Sequence, residues 1–324
     1  MMSMATKKKG FTIVELLTVM SIIIILISVL VPALNKVRVF AKVVTQKGQF
    51  HEISNGLELY RNDHQETYPD SGPADGDGRG YCGAMKLCEA MMGQDGMGFN
   101  PRSRFWADGT AVDPNGSTRY LYYFNLCSPT SPPYTGAQQT NMRERTKYLE
   151  SDNVTSNRLQ DLYNWALSTA GTSYGLLDAA VTFEDDPDAY PNAVISDVFL
   201  RGRINSTLAS CPSRAGETAG MPVLYYKPNP TNLSHDPNDW SNSNVDNIYN
   251  FDDNYAITAM GCSWENTYIT DQPMYLNPGL FYEEITNERV TSAPRPHNVD
   301  GYILMSAGYD GLYGTRDDVF NFAD

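Results

Sequence analysis

From Phe11 to Val31 apolar residues run almost without interruption, broken only by Thr12, Glu15, Thr18, Ser21 and Ser28. At 1.5 Å of rise per residue, about 20 such residues as a helix match the thickness of a bilayer's hydrocarbon core. Beyond the run, Val37, Phe40, Ala41 and Val44, and then Phe50, Ile53, Leu57 and Tyr60, recur at three- and four-residue spacing. Lys, Arg, Glu and Gln occupy the other faces, so the pattern predicts an amphipathic helix that continues to Arg61–Gln65, before Tyr68-Pro69. Pro32 removes one backbone donor and should kink or loosen the helix. Gly48 and Gly56 weaken it locally, by up to about 1 kcal/mol each relative to Ala.

After Pro69 the pattern changes. Residues 70–80 form an acidic, Gly-rich turn region without the alternating ligands of an EF-hand. Ala84–Met92 predicts a short helix closed by Gly93, its methionines serving as core filler. From Asn100 to about Met221 the one strong helical candidate is Ser156–Leu167, and Glu184–Asp188 reads as a solvated acidic loop. Strand signals gather late, at Met221–Tyr226, Tyr255–Thr258, Tyr302–Ser306 and Val319–Phe322. The expected fold class is α+β: a long N-terminal transmembrane and amphipathic helix packed on a small antiparallel sheet. Its expected divisions are residues 1–10, 11–31, 32–65, a loop-rich insertion over 66–220, and a C-terminal β region over 221–324.

Formal charge is −14, and loss of Lys7–Lys9 with an N-terminal leader would shift it to −17. A body this acidic has no electrostatic footprint for nucleic acid. Some 260 residues beyond the predicted long helix suffice for one sizeable core. Five cysteines, Cys82, Cys88, Cys127, Cys211 and Cys262, are compatible with one or two disulfides in an oxidising compartment, and spacing assigns no partners. His51, His64, His235 and His297 form no HExxH, and neither GxSxG nor a P-loop is present. An enzyme is therefore not expected.

The first candidate chemistry is at the N-terminus. Lys7-Lys8-Lys9-Gly10 leads directly into Phe11-Thr12-Ile13-Val14-Glu15. An ionised carboxylate within a bilayer costs at least about 2.5–3.5 kcal/mol at the centre, so Glu15 is a functional candidate. Cleavage at the Gly10–Phe11 junction would create an α-amine at Phe11, near in depth to Glu15 of an adjacent copy. A plain signal anchor has the same length; a secretory signal is cut after its apolar core, and no convincing site follows Val31. Charge bias leaves topology open, because Lys36, Arg38, Lys42 and Lys47 flank the far side of the run.

Lys-Gly-Phe-Thr-Ile-Val-Glu-Leu-Leu resembles the type III signal of type IV pilins and of the pseudopilins of type II secretion. The resemblance covers about the first fifty residues. It implies a prepilin peptidase that cuts after Gly10 and methylates Phe11, an assembly role for Glu15, and a mid-helix proline at Pro32.

The second candidate is the last hairpin, Ser306-Ala-Gly-Tyr-Asp310-Gly-Leu-Tyr-Gly-Thr-Arg-Asp317-Asp318. Asp310-Gly311 and Gly314 allow tight reversals that bring Asp310 towards Asp317 and Asp318. Converging carboxylates repel unless a hard cation such as Ca²⁺ lies between them; a hydrated, metal-free acidic hairpin is the plain alternative. The string is similar to the calcium loop of the major (G-type) pseudopilin of type II secretion. That resemblance implies Asp310, Asp317 and Asp318 as carboxylate ligands, with backbone carbonyls from Met305–Gly308, in a loop spanning 305–318. The chain departs from that family in being about twice the usual length and in its region from Pro69 to Met221. No cysteine pair brackets the final hairpin either.

Together these resemblances imply a structural subunit of a secretion pseudopilus. It would be anchored in the inner membrane by one span, with its C-terminal domain in the periplasm, and assembled as a homopolymer. Its implied partners are the prepilin peptidase, the inner-membrane assembly platform and minor pseudopilins. The alternative is a type IV pilin of a surface adhesive or motility fibre, with the insertion as its binding module.

Overall fold

The computed structural model describes residues 12–73, 76, 80–107, 109–112, 114–116, 118–122, 144–150, 154–162, 193–204, 216–238, 247–259, 262–264, 267–269, 272–290 and 293–322. The chain divides into two compact units, one ending at Val44 and the other starting at Thr45. Helix α1, Ile13–Asp63, runs through Pro32 and ends within the expected range.

In the first unit every apolar side chain from Ile13 to Val31 that is large is exposed, and this stretch is long and apolar enough to cross a membrane. The hydroxyls within it are already satisfied. Thr18 donates to the Glu15 carbonyl (3.0 Å), Ser21 to Leu17 (2.8 Å) and Ser28 to Ile25 (2.7 Å). Such back-bonding suits a medium that offers no water to hydroxyl groups.

In the second unit the predicted stripe Phe50, Ile53, Leu57 and Tyr60 is buried. A Cβ at Gly56 would lie 2.9 Å from both Met91 Sδ and the Tyr148 carbonyl, so this glycine permits close approach. Tyr60 stacks on His64 (4.1 Å) and meets Phe99 and Tyr148 edge-on. Two polar residues are buried on the same stretch of helix: Gln49 Nε2 donates to the Ser196 carbonyl (2.9 Å), and Gln46 Oε1 accepts from the Val198 N–H (3.0 Å).

Further along lie α2 (Gly83–Met92), the hairpin β1–β2 (Thr110–Val112, Thr118–Tyr120), β3 (Ser156–Arg158) running into α3 (Leu159–Leu162), and β4 (Ala193–Ile195). Then come β5 (Gly202–Arg203), β6 (Thr218–Ala219) and β7 (Leu224–Tyr226). A 3₁₀ turn (Phe251–Asn254) precedes α4 (Tyr255–Ala259), β8 (Cys262–Trp264), β9 (Thr267–Ile269), α5 (Pro273–Leu276), α6 (Gly279–Glu284), β10 (Ile303–Ser306) and β11 (Val319–Phe320). All paired strands are antiparallel.

The central sheet has the order β11-β10-β7, with Met305 opposite Phe320 and Ile303 opposite Tyr226. Both faces of β7 and β10 are buried, which explains why these strands read as continuous apolar runs. Leu224, Tyr226, Ile303 and Met305 join one core with Tyr81, Met85, Leu159, Val194 and Tyr282. On the other face Tyr225 Oη donates to the Pro69 carbonyl, and Tyr302 hydrogen-bonds Ser54 of α1.

Two expectations are corrected here. Tyr255–Thr258 is helical, because Asn250 caps the preceding 3₁₀ turn by accepting from the Asp252 N–H and thereby starts the chain turning. Residues 156–158 are extended, pairing with 193–195, so the predicted helix 156–167 is reduced to Leu159–Leu162 among the described residues. Tyr81, Met85, Leu159, Val194 and Ala219, from the region expected as a loop-rich insertion, pack in the main core. Cys82 and Cys88 are free, buried thiols, while Cys127 and Cys211 lie outside the described residues.

Helix α2 is buried along its whole length, charges included. Lys86 reaches Asp70 (2.7 Å). Glu89 accepts hydrogen bonds from Tyr81, Ser103, Tyr122 (2.8 Å) and Gln94 (3.1 Å), and burial pushes its carboxyl up. Nearby, Arg145 and Asp95 form a buried ion pair at 2.7 Å. Asp253 bonds Ser71 close to Asp70, Lys86 and Asp252, and burial pushes its carboxyl up to about 7. The folded chain thus holds this proton more tightly than the unfolded one. The stabilisation is complete below about pH 4 and is lost as pH rises through about 7. Thermal unfolding of the full chain in detergent should therefore shift to lower temperature across this window. In Asp253→Asn the slope should be shallower; an unchanged slope would mean that other groups carry the dependence.

Candidate functional site

The residues singled out from the sequence lie in two places, the head of α1 and the last hairpin. At the head of α1, Thr12 and Glu15 form a reciprocal cap. Glu15 Oε2 accepts from Thr12 N (2.9 Å) and Thr12 Oγ1 (2.7 Å), while Glu15 N donates to Thr12 Oγ1 (3.2 Å). This is the Thr-x-x-Glu capping box, which satisfies orphan N–H groups at a helix start and places negative charge at the positive end of the macrodipole. The spacing was readable in the sequence, but Glu15 drew attention there only as an intramembrane acid. Both bonds go to Oε2, and Oε1 accepts no hydrogen bond from the described residues. Gly10 and Phe11, the expected processing junction, lie outside the described residues.

At the other end of the chain, the hairpin between β10 and β11 folds Asp310 back on Asp317. Gly308 (φ +64°), Gly311 (+76°) and Gly314 (+86°) occupy the left-handed region, and a Cβ at Gly308 would lie 2.1 Å from the Asp317 carbonyl. Asp317 Oδ2 accepts from the Asp310 N–H (2.8 Å) and Oδ1 from Thr315 Oγ1 (2.7 Å). Asp318 Oδ2 accepts from the N–H groups of Gly314 (2.7 Å) and Thr315 (3.1 Å). Asp310 Oδ1 accepts from the Leu312 N–H (2.8 Å).

The remaining oxygen of Asp318, Oδ1, is buried and has no hydrogen-bond partner among the described residues. Burial, and then the charges of Asp310 and Asp317, push the Asp318 carboxyl well above the usual range. Burial and the Asp317 charge likewise raise Asp310. Burial also acts to raise Asp317, but hydrogen bonds from Thr315 and the Asp310 N–H outweigh it and leave that carboxyl lowered. The three predicted carboxylates are thus brought into one electrostatic unit. Among the described residues no set of three or more His, Cys, Asp or Glu side chains is arranged as a metal-binding group, so side chains alone build no cage here. An orphaned, buried carboxylate oxygen beside two further carboxylates nevertheless fits a hard cation completed by backbone carbonyls.

Two neighbouring segments clamp the hairpin, and sequence reasoning singled out neither. Gln272, capping α5, accepts from the Tyr313 N–H (3.0 Å), and Met274 N donates to the Tyr313 carbonyl (3.0 Å). From the other side Ser306 Oγ donates to Asp197 Oδ2 (2.8 Å), and Arg201 lies over the Tyr309 ring at 3.9 Å. No local motif marks Gln272, Asp197 or Arg201; only their distant partners do.

Comparison of the chain with protein-family models, with curated proteins and with solved structures finds no match. The close fit around Gly308 gives a direct check on the hairpin. Gly308→Ala should cost about 1–3 kcal/mol, through the strained left-handed backbone and the clash with Asp317. A melting temperature equal to that of the unaltered chain would mean that the hairpin can open at no cost.

Proposed function

We propose that the chain is a structural subunit of a membrane-anchored filament. In this reading it is cut after Gly10, modified at Phe11, and drawn from the inner membrane into a type II secretion pseudopilus. Its acidic body then lies in the periplasm, its role is assembly rather than catalysis, and its principal partner is a second copy of itself. The observation that carries the reading is α1 itself: one helix whose first half is exposed and apolar enough to cross a membrane, and whose second half is built into the body. Glu15 at its head supports it, with one carboxylate oxygen left over by the cap and able to meet the α-amine of a neighbour. That pairing offsets the cost of burying both charges only when its geometry is good.

Asp310, Asp317 and Asp318 would hold Ca²⁺, with backbone carbonyls of Met305–Gly308 completing the shell. The ion would neutralise the mutual repulsion of the carboxylates and stiffen the hairpin. Within this chain, the N–H groups of Asp310, Leu312, Gly314 and Thr315 orient those carboxylates.

Two experiments test these assignments. Glu15→Gln keeps an acceptor for the capping box but no charge, whereas Glu15→Ala removes both. If the charge docks a neighbour, both variants should insert and be processed, yet fail to form filaments. Normal filament yield from Glu15→Gln would reduce Glu15 to a cap. Removing Ca²⁺ with a chelator should lower the melting temperature of the full chain in detergent, and Asp317→Ala should abolish that difference. Identical melts with and without Ca²⁺ would leave a metal-free hairpin.

A further inference from the structure

Residues 196–201 belong to the stretch that has no counterpart in the resemblance, yet they touch both the buried half of α1 and the acidic hairpin. At one end Gln49 donates to the Ser196 carbonyl, Val198 N donates to Gln46 Oε1, and Asn157 Nδ2 donates to Ser196 Oγ (2.8 Å). At the centre Asp197, 1 % exposed, accepts at Oδ1 from the N–H groups of Phe199 and Met221 (3.1 Å each). Its Oδ2 accepts from Ser306 Oγ, which in turn accepts from the Gly308 N–H (3.3 Å). At the far end Arg201 Nε donates to the Tyr309 carbonyl while its guanidinium stacks on that ring.

The segment is held tightly. Gly220 packs against it so closely that a Cβ would fall 1.9 Å from the Asp197 carbonyl. Leu200 sits at φ +57°, a left-handed conformation that a branched residue adopts only when its surroundings impose it. Asp197 and Arg201 therefore grip the entry of the hairpin, on residues 306–309, while Gln46 and Gln49 grip the same segment from α1.

We propose that residues 196–201 form a strap that couples the acidic hairpin to the buried half of α1. Asp197 and Arg201 act as positioning residues that set the cation affinity of the hairpin, and cation binding in turn tightens the strap. The proposal rests on the calcium reading above. It follows from linkage: an element ordered by the same contacts that preorganise the ligands must itself be stabilised by the bound ion, to the same degree. Arg201 is a cation near an acidic site, so charge alone would make it oppose Ca²⁺. Its planar, stacked fork is what positions Tyr309, and lysine cannot reproduce that geometry.

The test is hydrogen exchange of the full chain in detergent micelles, titrated with CaCl₂ against a chelator, alongside Ca²⁺ affinity. Calcium should slow exchange in residues 196–204 as well as in 306–318. Arg201→Lys, which preserves charge at a partly exposed site, should weaken Ca²⁺ binding on the order of tenfold and abolish the slowing in 196–204. Asp197→Asn should do the same, and Asp317→Ala should lose binding altogether. Protection confined to 306–318, or wild-type affinity in Arg201→Lys, overturns the strap while leaving the cation site standing. Absence of Ca²⁺ binding to the unaltered chain overturns both.

Discussion

Apolar surface along α1 has to leave water, and the two halves of the helix can do so only in different ways. Up to Val31 the large apolar side chains lie exposed all round the helix. The hydroxyls of this run bond back to the helix and its one carboxylate is folded into the cap, which is what a span long and apolar enough to cross a membrane requires. From Thr45 onward the apolar positions narrow to a stripe that packs on Met91, Phe99 and Tyr148. Every other assignment of role in the molecule depends on this division between an exposed run apolar enough to cross a membrane and a stripe buried in the body.

The body faces the opposite problem, an excess of carboxylates, and it takes several of them inside. Glu89, Asp253 and Asp318 are all raised by burial, but their surroundings differ. Four side-chain donors surround Glu89, and Asp253 has Ser71 with Lys86 nearby. Asp318 retains an oxygen with no donor among the described residues, next to two further carboxylates. A saturated buried acid holds structure together, whereas Asp318 leaves one buried oxygen in a turn unpaired among the described residues.

Much of this was legible along the chain. The extent of α1, the short helix closed by Gly93 and the last two strands followed from local periodicity and turn residues, which act over a few positions. The strand expected at Tyr255–Thr258 failed because a capping asparagine just upstream turned a β-compatible sequence into a helix. The helix expected at Ser156–Leu167 failed because a partner strand nearly forty residues away claimed its first three residues. Asp310, Asp317 and Asp318 were visible as a cluster since they lie within nine positions of one another. Asp197, Arg201 and Gln272 were invisible because each acts on residues 41 to 109 positions away.

The sequence by itself determined where apolar surface is continuous, where the backbone must reverse, and which carboxylates a short loop can gather. These are consequences of side-chain chemistry and of backbone freedom at nearby residues. Only the tertiary structure decided which buried polar groups find partners: the glutamines of α1 on residues 196–198, the acid of α2 among four donors, and one oxygen of Asp318 with none among the described residues. Partnership inside a core depends on which distant segments pack together, and that is settled by the fold as a whole.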